Sequence, residues 1–464
     1  MQVSDLDCDN LIVRGDSVEW EKLLCSERLC DSNYQPKPER SIFVQDHDRI
    51  VFSAPFRRLA NKTQVQPLYE HDHVHHRLIH SIEVSSVGRS LAMRIGSWLE
   101  EKGDIQLGDA SSLANIVQAA CVAHDIGNPP FGHSGEVAMG DWFAEKFEAA
   151  SGLMAEIESE QRSEFSKFEG NAQGFRTLTR LEMYRNKGGM RLSKSTLGAF
   201  AKYPVTSAVR ETIVGTGPVP YVGLKKFGMF RSELDLFENA ATTLELPRET
   251  HESGTWWRRH PLVLIVEAAD DICYNIVDLE DAFTTGELPF ETVKNLLNRA
   301  AGNPNRDVSE LNQAEHIALL RALSIGAAIE SCFEAFKANY TEIMEGSYSN
   351  SLADGGPRAE LFAEMKQLSW DEVYTARRKT ELEVSGRRVI ANILSGIFPV
   401  FEDLAAGNWD PGKLKAHNAQ LVRALGLDLR DVTGAEQALH ALADFVSGMT
   451  DRYAVRIARM LSGK

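Results

Sequence analysis

Helical periodicity is the feature that most constrains the fold of this chain. From Ile79 onward, apolar residues recur at positions 82, 87, 91, 95 and 99, which places them on one face of an α-helix. The alternating patterns that are typical of strands are rare, and the sequence contains no internal repeat or low-complexity tract. We therefore predict one continuous all-α body with small appendages.

Start and stop signals delimit several further helices. The segment 113–127 ends at Gly127 and the Pro129–Pro130 pair, and Pro261 suits the first turn of a helix over 260–283. Other predicted helices cover 136–150, 312–344, 380–404 and 433–461. Predicted loops cover 156–170, 185–195, 214–224, 301–309, 346–358 and 406–413. Because no loop has the length or bias of an interdomain linker, we predict a single unit, with a core region at about 50–290 and a C-terminal helical part at about 291–464.

Charge is distributed unevenly along the 464 residues. The net charge is −16, but residues 171–231 contain eleven Lys and Arg and only two acids, Glu182 and Glu211. That segment has a net charge of +9, which leaves −25 for the rest of the chain. Such a protein repels nucleic acid generally but can hold a polyanion at one place. The alternative interpretation is a basic surface loop without a role.

Cysteine usage and hydropathy predict a soluble cytoplasmic protein. The six cysteines form no C-x-x-C pair, which fits a reducing compartment. The acidic start MQVSDLDCDN does not resemble a signal peptide, and the aliphatic run LVLIV at 262–266 is too short to span a bilayer. We therefore expect no membrane association.

The stretch AHDIGNPPFGHSGE, residues 123–136, contains the clearest chemical signal. His124 and Asp125 are adjacent at the end of an apolar helix, so both can reach one ion only if it lies over the helix end. Imidazole and carboxylate together suit a divalent metal ion. A hydrogen-bonded polar pair without a metal is the alternative.

His133 and Glu136 follow in the same stretch, three residues apart. This spacing places them on one helix face if the next helix has begun. The carboxylate can then fix the tautomer of the imidazole and support its positive charge, as in a general acid–base pair. The alternative for His133 is a solvated residue at a helix start.

A third signal lies in EAADDICYNIVDLEDA, residues 267–282. Asp270, Tyr274 and Asp278 follow at i, i+4 and i+8 and form one stripe on a largely apolar helix. Burying such a stripe is costly without a function, so we predict Asp270 as a metal ligand and Tyr274 and Asp278 as substrate contacts. A solvated acidic face is the alternative, and it suits Asp271, Glu280 and Asp281 best.

The histidine-rich stretch HDHVHHRLIH, residues 71–80, contributes one further candidate ligand. His80 lies inside the amphipathic helix beside its apolar face. The other four histidines precede that helix in a polar segment, and we interpret them as surface residues; they are His71, His73, His75 and His76.

His80, His124–Asp125 and Asp270 together form the H…HD…D pattern of HD-domain metallophosphohydrolases. Longer motifs closely resemble the deoxyguanosinetriphosphate triphosphohydrolase family, over about residues 40–460: FRRLANKTQV (56–65), RLIHSIEV (77–84), HDIGNPPFGHSGE (124–136), FEGNAQGFR (168–176), KKFG (225–228), EAADDICYNIVDLEDA (267–282) and SGMTDRYA (447–454). The resemblance implies an all-α HD-domain core with added helices. It also implies hydrolysis of deoxynucleoside triphosphates to deoxynucleoside and tripolyphosphate.

The resemblance further implies roles for individual residues. The metal ligands would be His80, His124, Asp125 and Asp270, and the catalytic pair would be His133 and Glu136. The predicted substrate contacts are Arg77 at the α-phosphate, Gln64 near the sugar, Tyr274 and Asp278 at the 3′-hydroxyl, and Lys202 and Lys226 at the β- and γ-phosphates. Asn128 is grouped with them, although some relatives have histidine there. Mn²⁺ or Mg²⁺ is the favoured metal, with Fe, Ni, Co or Zn as alternatives.

The resemblance also implies a homo-oligomer, with a hexamer favoured, and an activating dNTP or single-stranded DNA at a separate site. Two other functions stay open from the residues alone. One is an HD phosphohydrolase that releases pyrophosphate or phosphate. The other is a nucleotide-sensing or single-strand-binding protein, which the presence of both His133 and Glu136 disfavours.

Overall fold

The computed structural model describes residues 18–35, 37, 39–63, 75–149, 151–375 and 377–463. The prediction of an all-α fold is confirmed. The α-helices are α1 (Trp20–Leu23), α2 (Ile42–Val51), α3 (Ala54–Arg58), α4 (Arg77–Lys102), α5 (Asp109–Ala123), α6 (His133–Ala149), α7 (Ser159–Ser166), α8 (Gly170–Arg176), α9 (Lys194–Phe200), α10 (Ser207–Val214), α11 (Leu234–Thr243), α12 (Leu262–Thr284), α13 (Phe290–Ala300), α14 (Gln313–Ala338), α15 (Tyr340–Met344), α16 (Leu352–Gly355), α17 (Ala359–Leu368), α18 (Arg377–Ala406), α19 (Ala416–Leu425), α20 (Ala435–Ser447) and α21 (Asp451–Leu461).

Smaller elements connect these helices. Two strands, β1 (Arg248–His251) and β2 (Gly254–Trp257), form an antiparallel hairpin. Short 3-10 helices cover Leu59–Asn61, Gly152–Glu156, Val222–Leu224, Arg231–Glu233 and Pro411–Lys413. Two π-helical turns cover Thr177–Leu181 and Ser369–Tyr374.

The helices α4, α5 and α12 pack against one another and form the centre of the fold. A glycine, Gly88 of α4, lies where they meet. A Cβ atom there would lie 2.6 Å from the Sγ of Cys121 on α5 and 3.3 Å from the Cβ of Ala269 on α12. A side chain at position 88 would therefore separate the three helices. This close approach brings together polar residues that are distant in sequence.

A second hydrophobic cluster joins α6 to the C-terminal helices α18, α20 and α21. On α6, Trp142 packs its ring against Phe143 and Phe398, and its Nε1 donates a hydrogen bond to Ser395 Oγ at 2.8 Å. The helix that begins at His133 is thus anchored by residues from the end of the chain. The predicted division at about residue 290 stays a prediction.

Four predictions of secondary structure were wrong. The single helix predicted over 312–344 is α14 and α15, which are separated at Asn339. The predicted loop 156–170 contains α7, and the predicted loop 346–358 contains the short α16. The sequence of α7 is polar except for Phe165, so it has no apolar stripe that periodicity could detect. The single helix predicted over 433–461 is two helices, because Thr450 starts α21 by accepting a hydrogen bond from the Tyr453 amide.

In the part of the chain that the structure describes, two helices are long and apolar enough to cross a membrane by length and composition alone, Gln313–Ala338 and Thr380–Ala406. Helices in the core of a folded protein meet the same criterion. Both contribute buried residues to the hydrophobic clusters, including Phe336 and Ile397. They are therefore weak indications of a membrane span.

Candidate active site

Three predicted metal ligands meet where α4, α5 and α12 pack together. His80, His124 and Asp270 each offer a ligand atom, and these atoms lie within 4.8 Å of one another. His80 Nε2 lies 3.0 Å from Asp270 Oδ1, and His124 Nε2 lies 3.6 Å from the same oxygen. Two imidazoles and a carboxylate form a donor set that fits a divalent metal ion.

The orientation of His124 is fixed by the end of its own helix. Its Nδ1 lies 2.7 Å from the carbonyl oxygen of Cys121, so the backbone holds this nitrogen as the protonated donor. The other ring nitrogen, Nε2, faces Asp270. Metal-binding histidines are commonly held in this way, with one nitrogen bonded to a carbonyl and the other free for the ion.

Asp125 stands beside the three ligands rather than among them. Its Oδ2 accepts a hydrogen bond from Arg77 at 2.6 Å, and its Oδ1 accepts one from Asn128 at 2.5 Å. Its Oδ2 is also 3.6 Å from His124 Nε2. Burial opposes ionisation of Asp125, but Arg77 and the histidines outweigh it and lower its pKa. Asp125 is therefore an ionised carboxylate at the edge of the ligand group.

A cavity of about 450 Å³ opens over this group, in the size range of small-ligand sites. Most of its lining is polar, and the charged residues come from segments that are far apart in sequence. The predicted site residues in the lining are Arg77, His124, Asp125, Asn128, His133, Glu136, Lys202, Lys226, Asp270 and Tyr274. The structure thus brings ten of the thirteen predicted site residues to one cavity.

His133 and Glu136 form the predicted pair at the start of α6. His133 Nδ1 lies 2.9 Å from Glu136 Oε2, and the His133 side chain is 80% exposed toward the cavity and solvent. Glu136 is buried, and its Oε1 accepts a hydrogen bond from the Gly170 amide at 2.8 Å. The hydrogen bond with Glu136 raises the pKa of His133. A histidine with a raised pKa is a suitable proton donor near neutral pH.

The loop before α6 is held by residues from both ends of the chain. Phe131 has a φ of 62°, a conformation that non-glycine residues rarely adopt, and its amide donates to Asp451 Oδ1 at 3.0 Å. Lys62 is buried, and its Nζ donates to the carbonyl oxygens of Asn128 at 2.6 Å and Ser447 at 2.7 Å. These contacts fix the backbone of the loop and therefore the position of His133 at the start of α6.

Two lysines of the basic segment face the cavity, and each is paired with an acid. Lys202 Nζ lies 3.3 Å from Glu267 Oε1, and Lys226 Nζ lies 2.7 Å from Glu169 Oε2. Burial disfavours both ammonium groups, but the carboxylates outweigh it and raise both pKa values. Both lysines are therefore charged at neutral pH and can attract an anion.

Two family models match the chain: the HD domain over residues 77–188 and the phosphohydrolase-associated domain over residues 357–460. Proteins named deoxyguanosinetriphosphate triphosphohydrolase-like from Pseudomonas aeruginosa (strain UCBPP-PA14) and from Synechocystis sp. are 38% and 35% identical, each over 96% of this chain and 99% of the relative. The chain belongs to the deoxyguanosinetriphosphate triphosphohydrolase-like family. The deoxyguanosinetriphosphate triphosphohydrolase of Yersinia pestis (strain Pestoides F) is 28% identical over 89% of this chain and 92% of the relative.

Membership of the deoxyguanosinetriphosphate triphosphohydrolase-like family confirms the predicted resemblance. The chain is an HD-domain phosphohydrolase, and its cluster of ligands suits the divalent metal of that domain. The matched HD segment contains His80, His124 and the His133–Glu136 pair. Asp270 lies beyond the matched range, and only the packing of α12 against α4 and α5 brings it to the histidines.

Tyr274 and Asp278 are connected by a residue that the sequence analysis did not single out. The Tyr374 ring stacks on Tyr274 with centroids 5.4 Å apart, and its hydroxyl donates to Asp278 Oδ2 at 2.5 Å. Tyr274 lines the cavity, whereas Asp278 is buried one turn further along α12. Tyr374 lies outside the motifs, so no local signal pointed to it.

Other residues of the site were also missed. Glu169 and Asn171 belong to the motif FEGNAQGFR, which was recognised without assigning them roles, and Glu267 begins the motif that contains Asp270. All three line the cavity, as does Glu383 of α18. The predicted sugar contact Gln64 lies outside the described residues. Its neighbour Thr63 lines the cavity and donates from its hydroxyl to Asp451 at 2.5 Å.

The interpretation of His75 as a surface residue was wrong, and the alternative of a solvated Asp281 does not hold either. His75 is half-buried, with Nδ1 at 2.7 Å from Asp281 and Nε2 at 3.2 Å from Glu83, and Asp281 itself is buried. Burial opposes the charged form of His75, but the two carboxylates outweigh it and raise its pKa. His76 accepts a hydrogen bond from the Ile79 amide and so caps α4. His71 and His73 lie outside the described residues.

Proposed function

We propose that this protein hydrolyses deoxynucleoside triphosphates, dGTP among them, to deoxynucleoside and tripolyphosphate with the help of a divalent metal ion. One observation carries the proposal: two members of the ligand group, His124 and Asp270, line the same cavity as the His133–Glu136 pair and two charged lysines. The names of the relatives support the substrate class. We expect His80, His124, Asp125 and Asp270 to hold the ion.

In the proposed reaction, different residues contact the phosphates and protonate the leaving group. The ion, when bound, supplies positive charge at the α-phosphate and lowers the pKa of the attacking water. Arg77, Lys202 and Lys226 attract the phosphate oxygens and orient the chain of phosphates. Water adds to the α-phosphorus and releases a proton to the solvent, and the bond from that phosphorus to the 5′-oxygen breaks. His133 gives its proton to the departing 5′-oxygen, and Glu136 stabilises the imidazolium before transfer.

We further propose that the stacked pair Tyr274 and Tyr374 selects the sugar. Tyr274 lines the cavity, and its ring is held from behind by Tyr374, whose hydroxyl donates a hydrogen bond to Asp278. A ribose 2′-hydroxyl would therefore meet a side chain that has little room to move. GTP turnover should then be far slower than dGTP turnover. Equal rates for the two nucleotides would remove this sugar-selection hypothesis.

Phosphorus NMR of the products tests the proposed reaction. The purified chain would be incubated with each dNTP in the presence of Mn²⁺ or Mg²⁺, alone and in mixtures that could supply an activator. We expect tripolyphosphate, and no signal from pyrophosphate. Release of pyrophosphate or phosphate would instead identify another HD phosphohydrolase reaction at the same site. No turnover of any dNTP would favour a nucleotide sensor.

Assembly, activation and location rest on the family resemblance. We propose a homo-oligomer, with a hexamer favoured, activation by a dNTP or single-stranded DNA, and a cytoplasmic location. Light scattering of the purified chain would give the number of subunits. Turnover of each dNTP, measured with and without single-stranded DNA, would test for activation.

A further inference from the structure

A second cluster of potential metal ligands lies between α7 and α20. Glu164 of α7 and Glu436 and His440 of α20 each offer a ligand atom, and these atoms lie within 4.8 Å of one another. None of the three lines the cavity of the candidate active site in the described part of the chain. The proposed reaction therefore does not account for this cluster.

Three buried polar atoms of this cluster have no hydrogen-bond partner among the described residues. They are Oε1 of Glu164 and both ring nitrogens of His440, and each side chain belongs to a residue that is 2% exposed. Buried polar atoms without partners are rare in folded proteins, and an ion that binds to them is one recognised explanation. Two of the three residues thus present unused ligand atoms inside the protein.

The distances within the cluster suit ligands of one ion better than a hydrogen bond. His440 Nε2 lies 3.6 Å from Glu164 Oε1, which is too long for a hydrogen bond. Two ligands at ~2.1 Å from a tetrahedral zinc ion are ~3.4 Å apart. Glu436 and His440 are four residues apart on α20, so both lie on the face that meets α7.

The surroundings of the cluster hold two of the ligands in place. The rings of Phe165 and Phe230 lie 4.9 Å and 5.1 Å from the His440 ring and restrict its rotation. Glu164 Oε2 accepts a hydrogen bond from the Arg231 amide at 2.9 Å, which leaves Oε1 directed toward His440. Glu436 is half-buried and gives an ion access from solvent.

We propose that Glu164, Glu436 and His440 bind a divalent transition-metal ion, of which Zn²⁺ is the best match to one imidazole and two carboxylates. The ion ties α20 to α7. One turn along α20, Asp444 accepts hydrogen bonds from Arg176 of α8. The helix α20 is thus already bonded to α8, which directly follows Glu169, and the ion would add a second link from α20 to α7. This site is structural and does not depend on the proposed reaction.

Metal analysis in a chain without the catalytic ligands tests the proposal. The full chain with His80→Ala and His124→Ala would be dialysed against Zn²⁺, and its zinc content would be measured by plasma mass spectrometry. We expect about one Zn²⁺ per chain. Adding Glu436→Gln should remove that ion, whereas adding Glu160→Gln, an exposed carboxylate of α7, should leave it bound.

Two results would overturn the proposal. The first is a chain with His80→Ala and His124→Ala that binds no zinc. The second is zinc that stays bound after both Glu164→Gln and Glu436→Gln, because the ion would then lie elsewhere. If the combined variants fail to fold, the otherwise unaltered chain and its Glu436→Gln variant are compared. The variant should bind one zinc fewer per chain, and an equal zinc content would overturn the proposal.

Discussion

Two clusters of histidine and carboxylate occur among the described residues of this protein, and they differ in what surrounds them. In the group of His80, His124 and Asp270, the last two residues line a cavity of about 450 Å³ whose charged lysines can hold an anion. Glu164, Glu436 and His440 lie between two helices, with aromatic rings against the imidazole. The same ligand types can thus serve catalysis or stability. The deciding factor is the space left beside the ion, because a substrate must reach a catalytic metal.

The largest effect should come from removing a catalytic ligand. We expect His124→Ala to lower dNTP turnover by about 10³-fold or more, because a catalytic metal ion contributes several kcal/mol to transition-state stabilisation. The measurement is steady-state release of tripolyphosphate at saturating metal. His417→Ala, an exposed histidine of α19, is the matched control and should keep full activity. Undiminished turnover of His124→Ala would break the assignment of the catalytic cluster.

The next largest effect should follow loss of the partner of His133. We expect Glu136→Gln to lower kcat by about 10²-fold, which is the lower end of the contribution of general acid–base catalysis. An acid catalyst works only while protonated, so activity falls as pH rises through the pKa of His133. Because Glu136 raises that pKa, its loss should move the alkaline limb of the kcat profile to lower pH.

A pH–rate comparison of the two proteins separates this role from a structural one. A variant that is merely misfolded would lose activity at every pH without moving the limb. An alkaline limb that stays in place in Glu136→Gln would contradict the assignment of His133 as the acid.

A smaller effect should come from the C-terminal helix that supports the loop before His133. Asp451→Ala leaves the amide of Phe131 and the hydroxyl of Thr63 without their acceptor. We expect it to lower the free energy of unfolding by about 1–3 kcal/mol, the cost of unsatisfied buried groups, and to reduce kcat about tenfold. Urea unfolding and turnover would be measured together. Asp431→Ala, a half-exposed acid paired with Arg185, is the control that should change neither quantity much.

The smallest effect on turnover should come from the second cluster. We expect Glu436→Gln to change kcat by less than about twofold, because a structural ion contributes to folding rather than to the reaction. The thermal midpoint in Zn²⁺ should fall relative to the unaltered chain. A loss of turnover comparable to that of His124→Ala would contradict the assignment of the second cluster as a structural site.

Local sequence patterns predicted much of the candidate site. The spacing of His133 and Glu136 was enough to expect their contact, because residues three apart on a helix are neighbours. The prediction of a ligand group from His80, His124 and Asp270 needed the family pattern as well, since those residues are far apart in the chain. The helix α7 was missed because its residues are mostly polar, and it is stabilised by contacts that its own sequence does not reveal.

The sequence by itself determined the helical architecture and the chemical types of the ligands, since periodicity and motif spacing are local properties. Only the tertiary structure decided that Tyr374 reaches Asp278, that Asp451 supports the loop at Phe131, and that Glu164 meets His440. Each of these contacts joins residues about a hundred or more positions apart. Such contacts depend on how whole helices pack, and that packing is set by many side chains at once rather than by any one motif.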